Sequence, residues 1–275
     1  DLIIEQFISN FPDIKHVVYD TISESKALDA FELSYNVRAL PTYDFSKADV
    51  IVSVGADILG DWQGGGFSSG YSKSRIPKKG KMSKHFQIEA NMSLSGANAD
   101  VRIPLKPSAQ KKALLKIYEY ISGENTNVSV DEKLDKKLKS IAYSLKKSAG
   151  KGVFVTGIDD VDAQVLALKI NQLINSEVIN TSKLNLTRQG DDKKVSQLVR
   201  DISNNKIDGL IMAGVNPCYT LSNFKEFNDA LKSLDFSVCF SMNNNETAIL
   251  SKWVAATPHY LESWGDVEMK SGDFS

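Results

Sequence analysis

Short apolar runs alternate along this chain with segments whose apolar residues recur every three to four positions. Asp49–Gly55 contains a continuous apolar run that ends in glycine, which is typical of a buried strand. Leu134, Leu138 and Ile141 have the spacing of one helix face, with lysines at positions between them. Strands that alternate with helices connect in parallel, and parallel sheets carry helices on both faces. The sequence therefore predicts an α/β fold with mainly parallel sheets.

The same reasoning locates the other elements. Further apolar runs predict strands at 17–20, 86–90, 101–105, 152–156, 209–213, 236–240 and 253–256. Ser108 is expected to cap a helix that stops at Gly123, and a second helix should end before Gly150. Later helices are predicted at 161–174, 195–202 and 224–234.

One short pattern occurs twice. Asp49–Asp57 and Asp208–Asn216 both read as aspartate, an apolar strand, glycine, an apolar residue and then Asp or Asn, at a constant separation of 159 positions. This repetition is what two similarly built domains would produce. We predict two Rossmann-like three-layer domains, residues 1–148 and 149–275, with the lysine-rich stretch at 133–151 as their junction.

Composition excludes several classes of function. The 33 Lys and Arg residues nearly cancel the 34 Asp and Glu residues, which argues against a nucleic-acid binder held by a domain-wide positive field. Two cysteines and three histidines are too few for a self-contained iron–sulfur cluster or structural zinc site. No apolar run approaches the roughly 18 residues that span a bilayer, so we expect no direct membrane span.

The two repeated turns are candidate binding sites, because ligands of open α/β sheets lie beyond the carboxyl ends of strands. Gly55 and Asp57 form the first turn, and Gly214, Asn216 and Pro217 form the second. Glycine permits a close backbone approach to a ligand, and Asp or Asn can hydrogen-bond it. Each turn has an equally simple structural interpretation, as a strand end that needs a glycine.

Two other segments have alternative interpretations. The insert at 60–84 combines a Gly-rich run with Lys73, Arg75, Lys78, Lys79, Lys81 and Lys84. It is predicted to be a flexible basic surface loop that could dock a partner subunit, or else a phosphate cradle without a Walker pattern. The polar run at 243–247 either contacts a ligand at a strand end or begins a helix, with Asn as its cap and Glu246 in its first turn.

No catalytic or metal-ligating set is evident. Cys218 and Cys239 are expected to be small buried apolar residues. His16, His85 and His259 are too scattered to assemble a nucleophile and base.

The residues at 208–247 resemble a signature of the molybdopterin oxidoreductases, in which a strand, Gly-x-Asn-Pro, a helix and a strand precede a polar stretch with Glu-Thr. Here the matching segments are Gly214–Pro217 and Asn245–Ala248. Trp253–Pro258 continues this second-half match, and looser matches in the first half are Ala48–Asp57, the strand at 86–90 and Ala99–Leu105. The resemblance covers most of the chain.

This resemblance implies a binding role for the two turns. In that family, two Rossmann-like domains each hold one guanine dinucleotide arm of a bis-pterin molybdenum or tungsten cofactor. By resemblance, the first arm would border Gly55, Asp57 and Glu89. The second arm would border a larger set: Gly214, Asn216, Pro217, Asn245, Glu246 and Thr247.

The chain also departs from the family pattern. Asp57 replaces the usual Asn, Glu89-Ala90-Asn91 replaces Asp-Pro-Arg, and no candidate metal ligand occurs upstream. Such a short, degenerate version is similar to the molybdopterin-oxidoreductase-like part of the iron–sulfur subunit of alternative complex III. That complex is a bacterial quinol-oxidising respiratory assembly, and this part of its subunit carries no molybdenum cofactor.

The resemblance therefore implies a scaffold domain of an electron-transfer subunit on the periplasmic face of the bacterial inner membrane. Its partners would be other subunits or domains of a membrane-bound respiratory complex. No cofactor is expected in this segment, and iron–sulfur clusters would lie in a longer protein of which it is a piece. The alternatives are a fragment of an active molybdopterin guanine dinucleotide-dependent oxidoreductase and a general nucleotide-binding α/β protein.

Overall fold

The computed structural model describes residues 2–77 and 80–275, so the predicted basic residues Lys78 and Lys79 lie outside the described residues. The helices are α1 Leu2–Asn10, α2 Ser25–Tyr35, α3 Ser68–Arg75, α4 Leu94–Asn98, α5 Pro107–Ser122, α6 Glu132–Lys147, α7 Val161–Leu173, α8 Asp192–Ser203, α9 Pro217–Thr220, α10 Phe224–Ser233 and α11 Glu246–Leu250. Single 3₁₀ turns occupy Phe45–Lys47, Trp62–Gly64 and Tyr260–Glu262.

The strands are short. They are β1 Leu40–Tyr43, β2 Val50–Val54, β3 Lys84–Glu89, β4 Val101–Pro104, β5 Gly152–Thr156, β6 Ile179–Asn185, β7 Gly209–Ala213, β8 Phe236–Ser241, β9 Trp253–Ala256, β10 Glu268–Lys270 and β11 Asp273–Phe274. The predicted strand at 17–20 is wrong, because these residues join no sheet.

The chain divides into two compact units. The larger unit comprises Lys26–Arg188 and Glu268–Phe274, and the smaller unit comprises the residues up to Ser25, Gln189–Val267 and Ser275. Parallel sheets alternate with helices in both units, so the predicted α/β, Rossmann-like arrangement is confirmed, and in the larger unit it has three layers.

The main sheet of the larger unit has strand order β4-β3-β2-β5, with every neighbouring pair parallel. All five residues of β2 are buried, because elements cover both faces of this sheet. On one face, Val50, Val52 and Val54 pack against α5, α6 and α7. On the other face, Ile51 packs into a cluster that is rich in aromatic residues.

The insert at 60–84 contributes to that second cluster. Trp62, Phe67 and Tyr71 are buried in it, and the Trp62 and Phe67 rings lie 5.5 Å apart. The prediction of a flexible surface loop is therefore wrong for residues 62–75. Glycine and lysine dominated the composition of the segment, whereas its three aromatic side chains decide its fold.

A second sheet in the larger unit was not predicted. Its order is β1-β6-β10-β11, and the neighbouring strands in it are antiparallel. Its strands come from distant parts of the chain and are only partly apolar, as in Ile179–Asn185. The alternation of apolar and polar residues that marks a strand is therefore weak in this sheet.

The smaller unit contains a parallel sheet of order β7-β8-β9. Met212 and Cys239 on one face of this sheet pack against residues of α8, α10 and α11. Burial raises the pKa values of the Cys218 and Cys239 thiols, as expected for small buried residues in an apolar core.

The larger and smaller units contain the same module. Strand β7 lies 159 positions after β2, whereas β8, α11 and β9 each lie 152 positions after β3, α4 and β4, with identical lengths. Strand register also repeats, because Val50 pairs with Lys84 in one unit and Gly209 pairs with Phe236 in the other. The repetition that the sequence predicted over nine residues thus extends over a whole three-stranded module.

The predicted domain boundary at 148 differs from the observed division. Strand β5 pairs with β2 along its whole length, so Gly152–Thr156 belongs to the sheet of the larger unit. An apolar strand carries no sequence mark of its partner, and the lysine-rich stretch at 133–151 that suggests a junction is helix α6 and the turn before β5. Within residues 2–77 and 80–275, no helix combines the length and apolarity that crossing a bilayer requires.

Candidate functional site

The first predicted turn lies where β2 ends. Gly55 has φ +72°, and its N–H donates to the Ile88 carbonyl at 2.8 Å. A Cβ atom on Gly55 would lie 2.9 Å from Oε1 of Gln110, a residue of α5. The left-handed backbone therefore favours glycine at this position.

Asp57 ties this turn to α4. Its Oδ1 accepts from the Ser95 backbone N–H at 2.9 Å and from the Ser95 hydroxyl at 2.6 Å. The Ser95 hydroxyl oxygen also accepts from the Leu59 N–H at 3.0 Å. The carboxylate thus stabilises the loop between a strand and the next helix.

Glu89 is buried at the end of β3, and four donors surround it. The Ser93 hydroxyl lies 2.6 Å and the Gln87 amide 3.1 Å from its Oε2, and the Ser93 N–H lies 3.2 Å from its Oε1. Arg102 Nε donates to Oε1 at 2.6 Å. Burial acts to raise the pKa of Glu89, but the hydrogen bonds from Ser93 and Arg102 outweigh it and hold that pKa below its usual value.

Sequence reasoning missed the buried polar ladder that continues from Glu89 along β3. Gln87 also donates to the Ala56 carbonyl at 3.0 Å, and its Oε1 lies 3.2 Å from His85 Nε2. The other ring nitrogen of His85 lies 3.1 Å from the Tyr71 hydroxyl. Polar residues at every second position of an otherwise apolar strand were the available signal, because such residues share one face.

The second predicted turn has the same hydrogen-bond pattern. Asn216 Oδ1 accepts from the Thr247 N–H at 3.2 Å and from the Thr247 hydroxyl at 2.8 Å. The Thr247 hydroxyl oxygen accepts from the Cys218 N–H at 3.1 Å. Gly214 has φ +67°, and its N–H donates to the Phe240 carbonyl at 3.3 Å. Asn216, Thr247 and Cys218 thus repeat the bonds that Asp57, Ser95 and Leu59 make in the first turn.

The structure also brings together the remaining predicted residues of the second turn. Asn216 Nδ2 donates to Glu246 Oε2 at 2.8 Å, and this hydrogen bond lowers the pKa of Glu246. Asn245 caps α11 by accepting from the Ala248 N–H at 3.0 Å. Pro217 is the first residue of α9. The helix-entry interpretation of the polar run at 243–247 is therefore confirmed.

The two turns differ in what surrounds them. In the larger unit, Gln110 lies over Gly55, and a Cβ on Gly157 would lie 2.4 Å from the Gly55 carbonyl oxygen. In the smaller unit, a Cβ on Gly214 would meet no heavy atom within 4 Å among the residues that the structure describes. Gly55 and Gly214 are both exposed, so the two turns differ in the side chains beside them and not in the accessibility of the glycine.

The residues at the first turn do not fit a guanine dinucleotide arm as the resemblance places it. Glu89 is buried and directed at internal donors, although Gly55 is exposed. At the second turn, Glu246 is exposed and Gly214 is accessible, so a ligand could approach there. No group of three or more His, Cys, Asp or Glu residues suited to a metal ion occurs in the described part of the chain.

No family model matches the chain, and no curated protein matches it. Among solved structures, it is similar to a chain of the formyltransferase/hydrolase complex FhcABCD from Methylorubrum extorquens, determined in complex with methylofuran. The sequences are 14% identical, the TM-score is 0.52, and the match covers 85% of this chain and 70% of the other. At this identity the similarity concerns the fold, and the neighbour belongs to a multi-subunit complex.

Proposed function

We propose that this chain is a structural domain of a molybdopterin-oxidoreductase-like subunit in a respiratory electron-transfer complex. It holds no metal cofactor of its own, and it lies on the periplasmic face of the bacterial inner membrane. The motif resemblance at Gly214–Pro217 and Asn245–Ala248 supports the family assignment. Two copies of one α/β module, as the family's paired cofactor arms would require, support it independently.

The buried and paired Glu89 at the first turn carries the scaffold part of this proposal. A dinucleotide arm needs free acceptors at the strand end. Here the Glu89 carboxylate is buried and paired with Arg102. Moving these groups aside would leave buried polar atoms without partners, which costs about 1–3 kcal/mol for each.

Membership in an assembly has separate support. The solved neighbour is a chain of a multi-subunit complex. In addition, large apolar side chains such as Trp253, Leu261 and Trp264 are mostly exposed on this chain. Exposed apolar surface of this kind is typical of proteins that are covered by partners.

Metal analysis of the native assembly tests the proposal. The complex that contains this chain would be purified from its host, and molybdenum, tungsten and iron would be measured per chain by mass spectrometry. We expect iron from clusters elsewhere in the complex and molybdenum plus tungsten far below one atom per chain. One molybdenum or tungsten atom per chain would overturn the scaffold proposal and favour an active oxidoreductase.

The exposed Glu246 at the second turn, in contrast to the buried Glu89, favours one alternative, in which this turn alone still holds a guanine dinucleotide arm. Titration of the isolated chain with GDP, followed by calorimetry, separates the two functions. The scaffold proposal predicts no heat of binding at millimolar GDP. Binding that is lost in Asn216→Ala, with thermal stability retained, would support the alternative. Equal binding of ATP, NAD and GDP would instead indicate a general nucleotide-binding protein.

A further inference from the structure

The repeated module shows what is missing from the smaller unit. In the larger unit, one sheet face carries Val52, Phe86 and Ile88, which are buried beneath α5 and α6. The positions equivalent to these three residues in the smaller unit are Ile211, Val238 and Phe240, at separations of 159 and 152. One face of the module can therefore be compared directly between the two units.

That face is uncovered in the smaller unit. Ile211 is 51% exposed, Phe240 is 40% exposed and Trp253 is 66% exposed. Strand register and alternation place the following residues on the same face: Gly209, Ile211, Ala213, Phe236, Val238, Phe240, Trp253 and Ala255. None of them is charged. We call this set the open sheet face.

We propose that the open sheet face binds an amphipathic helix of a partner polypeptide, in the way that α5 and α6 cover the equivalent face of the larger unit. The covering helices show the chemistry that is required. Leu138, Ile141 and Leu145 form a fully buried stripe on α6, and α5 presents a similar stripe with Leu114 and Ile117. The partner helix would carry large aliphatic residues at the same spacing of three to four positions.

A second copy of this chain is a poorer occupant. The exposed parts of the large side chains on the open sheet face amount to roughly 400 Å². A stable dimer buries about 800 Å² from each partner, which is twice that area. The apolar stripes of α5 and α6 are already buried within their own unit, so they cannot serve a second copy.

Helix α1 is another possible occupant, because Ile3 and Phe7 on it are exposed. It has nine residues against 16 in α5 or α6, so it spans about 14 Å where they span about 24 Å. Helix α1 would therefore cover less of the open sheet face than α5 and α6 cover of the equivalent face in the larger unit.

Site-specific photo-cross-linking in the native complex tests this proposal. p-Benzoylphenylalanine would replace Phe240 in one variant and Trp253 in another, with Tyr143 on α6 as an exposed control position. We expect both test positions to cross-link to one partner segment, identified by mass spectrometry, with aliphatic residues every three to four positions. The control position should not reach that segment.

Three outcomes would overturn the proposal: cross-links to residues 2–10 of this chain, cross-links to the same face of a second copy, and no cross-link at either test position in an intact complex.

A paired variant gives a second readout. Ile211→Lys with Phe240→Lys should reduce incorporation into the complex at least tenfold while the melting temperature of the isolated chain is unchanged. Leu33→Lys, at an exposed site of the larger unit, is the matched control. Full incorporation of the paired variant would also overturn the proposal.

The inference rests on the proposed role within an assembly, but it does not depend on the absence of a cofactor. The two experiments therefore fail separately. Molybdenum in the complex would overturn the scaffold function and leave the docking surface standing. If the open sheet face were exposed to solvent in the complex, the docking surface would be overturned and the scaffold function would stand.

Discussion

Three polar side chains, His85, Gln87 and Glu89, replace the apolar residues that one face of a buried strand usually carries. Burying polar groups is unfavourable unless each finds a hydrogen-bond partner. Here Tyr71 contacts one end of the ladder and Arg102 the other, so its polar groups are well supplied with partners. Such a network ties β3 to α3 and β4 and makes the fold sensitive to any change in protonation.

His85 should make stability depend on pH. Burial lowers its pKa from 6.5 to about 4, although the hydrogen bond with Gln87 acts in the opposite direction. Between these values the unfolded chain binds a proton that the folded chain does not. The contribution of neutral His85 is therefore complete above about pH 6.5, and it is lost as the pH falls toward 4. We expect a loss of about 3 kcal/mol from this residue.

Urea unfolding of the wild type and His85→Phe, followed between about pH 7 and pH 4, measures this contribution. The variant should lose less stability than the wild type over that range. Parallel pH profiles for the two proteins would contradict the assignment.

Glu89 and Gly96 should be energetically coupled. A Cβ on Gly96 would lie 1.8 Å from Glu89 Oε1. The Glu89 side chain cannot move away without breaking its hydrogen bond from Arg102. In the smaller unit, Ser241 is equivalent to Glu89 and Ala248 is equivalent to Gly96. A Cβ is thus present where the facing side chain is short, which indicates that Glu89 is what requires glycine at position 96. We expect Gly96→Ala to cost about 3 kcal/mol in the wild type and less than about 1 kcal/mol in a Glu89→Ser background.

Chemical denaturation of the four proteins in this double-mutant cycle gives the coupling energy. Gly265→Ala is the control, because a Cβ there meets no described atom within 4 Å. Additive effects of the two substitutions would show that the close approach is not what makes glycine necessary at position 96.

At the scale of elements, β5 is an edge strand whose outer side is closed by side chains. Asn171 on α7 accepts from the Phe154 N–H at 2.9 Å and donates to the Phe154 carbonyl at 2.7 Å. Trp62 and Gln164 donate to the Thr156 carbonyl at 3.2 Å each. These bonds replace a fifth strand and prevent pairing with another chain.

Removing Asn171 should therefore cost more than an ordinary polar deletion. Asn171→Ala leaves the buried Phe154 N–H and carbonyl without those partners, and we expect a loss of about 2–4 kcal/mol in unfolding free energy. Hydrogen exchange at the Phe154 amide should accelerate at the same time. Gln172→Ala, at the exposed neighbouring position, should change stability by less than about 0.5 kcal/mol. Unchanged exchange at Phe154 would contradict this role for Asn171.

Individual elements could be predicted from the sequence wherever local chemistry determines them. Helix α5 ends at Gly123, whose φ is +82°, as predicted. The predicted cap Ser108 is wrong, because the helix begins at Pro107 with Lys106 as its N-cap. The repeated turns were found for the same reason, because glycine and Asp or Asn stand at set distances from a strand. Periodicity identifies an element but not its neighbours, so the pairing of β5 with β2 was not predicted.

The candidate site was only half predictable for a related reason. Asp57 and Asn216 were identified, but Ser95 and Gln110, which bond or cover the first turn, lie far along the chain from it. No local pattern connects such residues. The side chains that surround each turn are therefore visible only in the folded molecule.

For the whole molecule, the two units have separate apolar cores. Leu138 is completely buried in the core of the larger unit, and Leu231 is completely buried in that of the smaller unit. The chain passes between the units after Ser25, Arg188, Val267 and Phe274. Separate cores allow unfolding in two steps rather than one, since each core stabilises its own unit.

We therefore expect two transitions in urea, and a pair of matched substitutions assigns them. Leu138→Ala and Leu231→Ala remove the same atoms from equally buried positions, and each should cost about 3 kcal/mol in its own unit. Leu138→Ala should shift only the transition with the steeper denaturant dependence, because the larger unit exposes more surface when it unfolds. Leu231→Ala should shift only the other transition. A single transition that both variants shift equally would show that the two units unfold as one cooperative body.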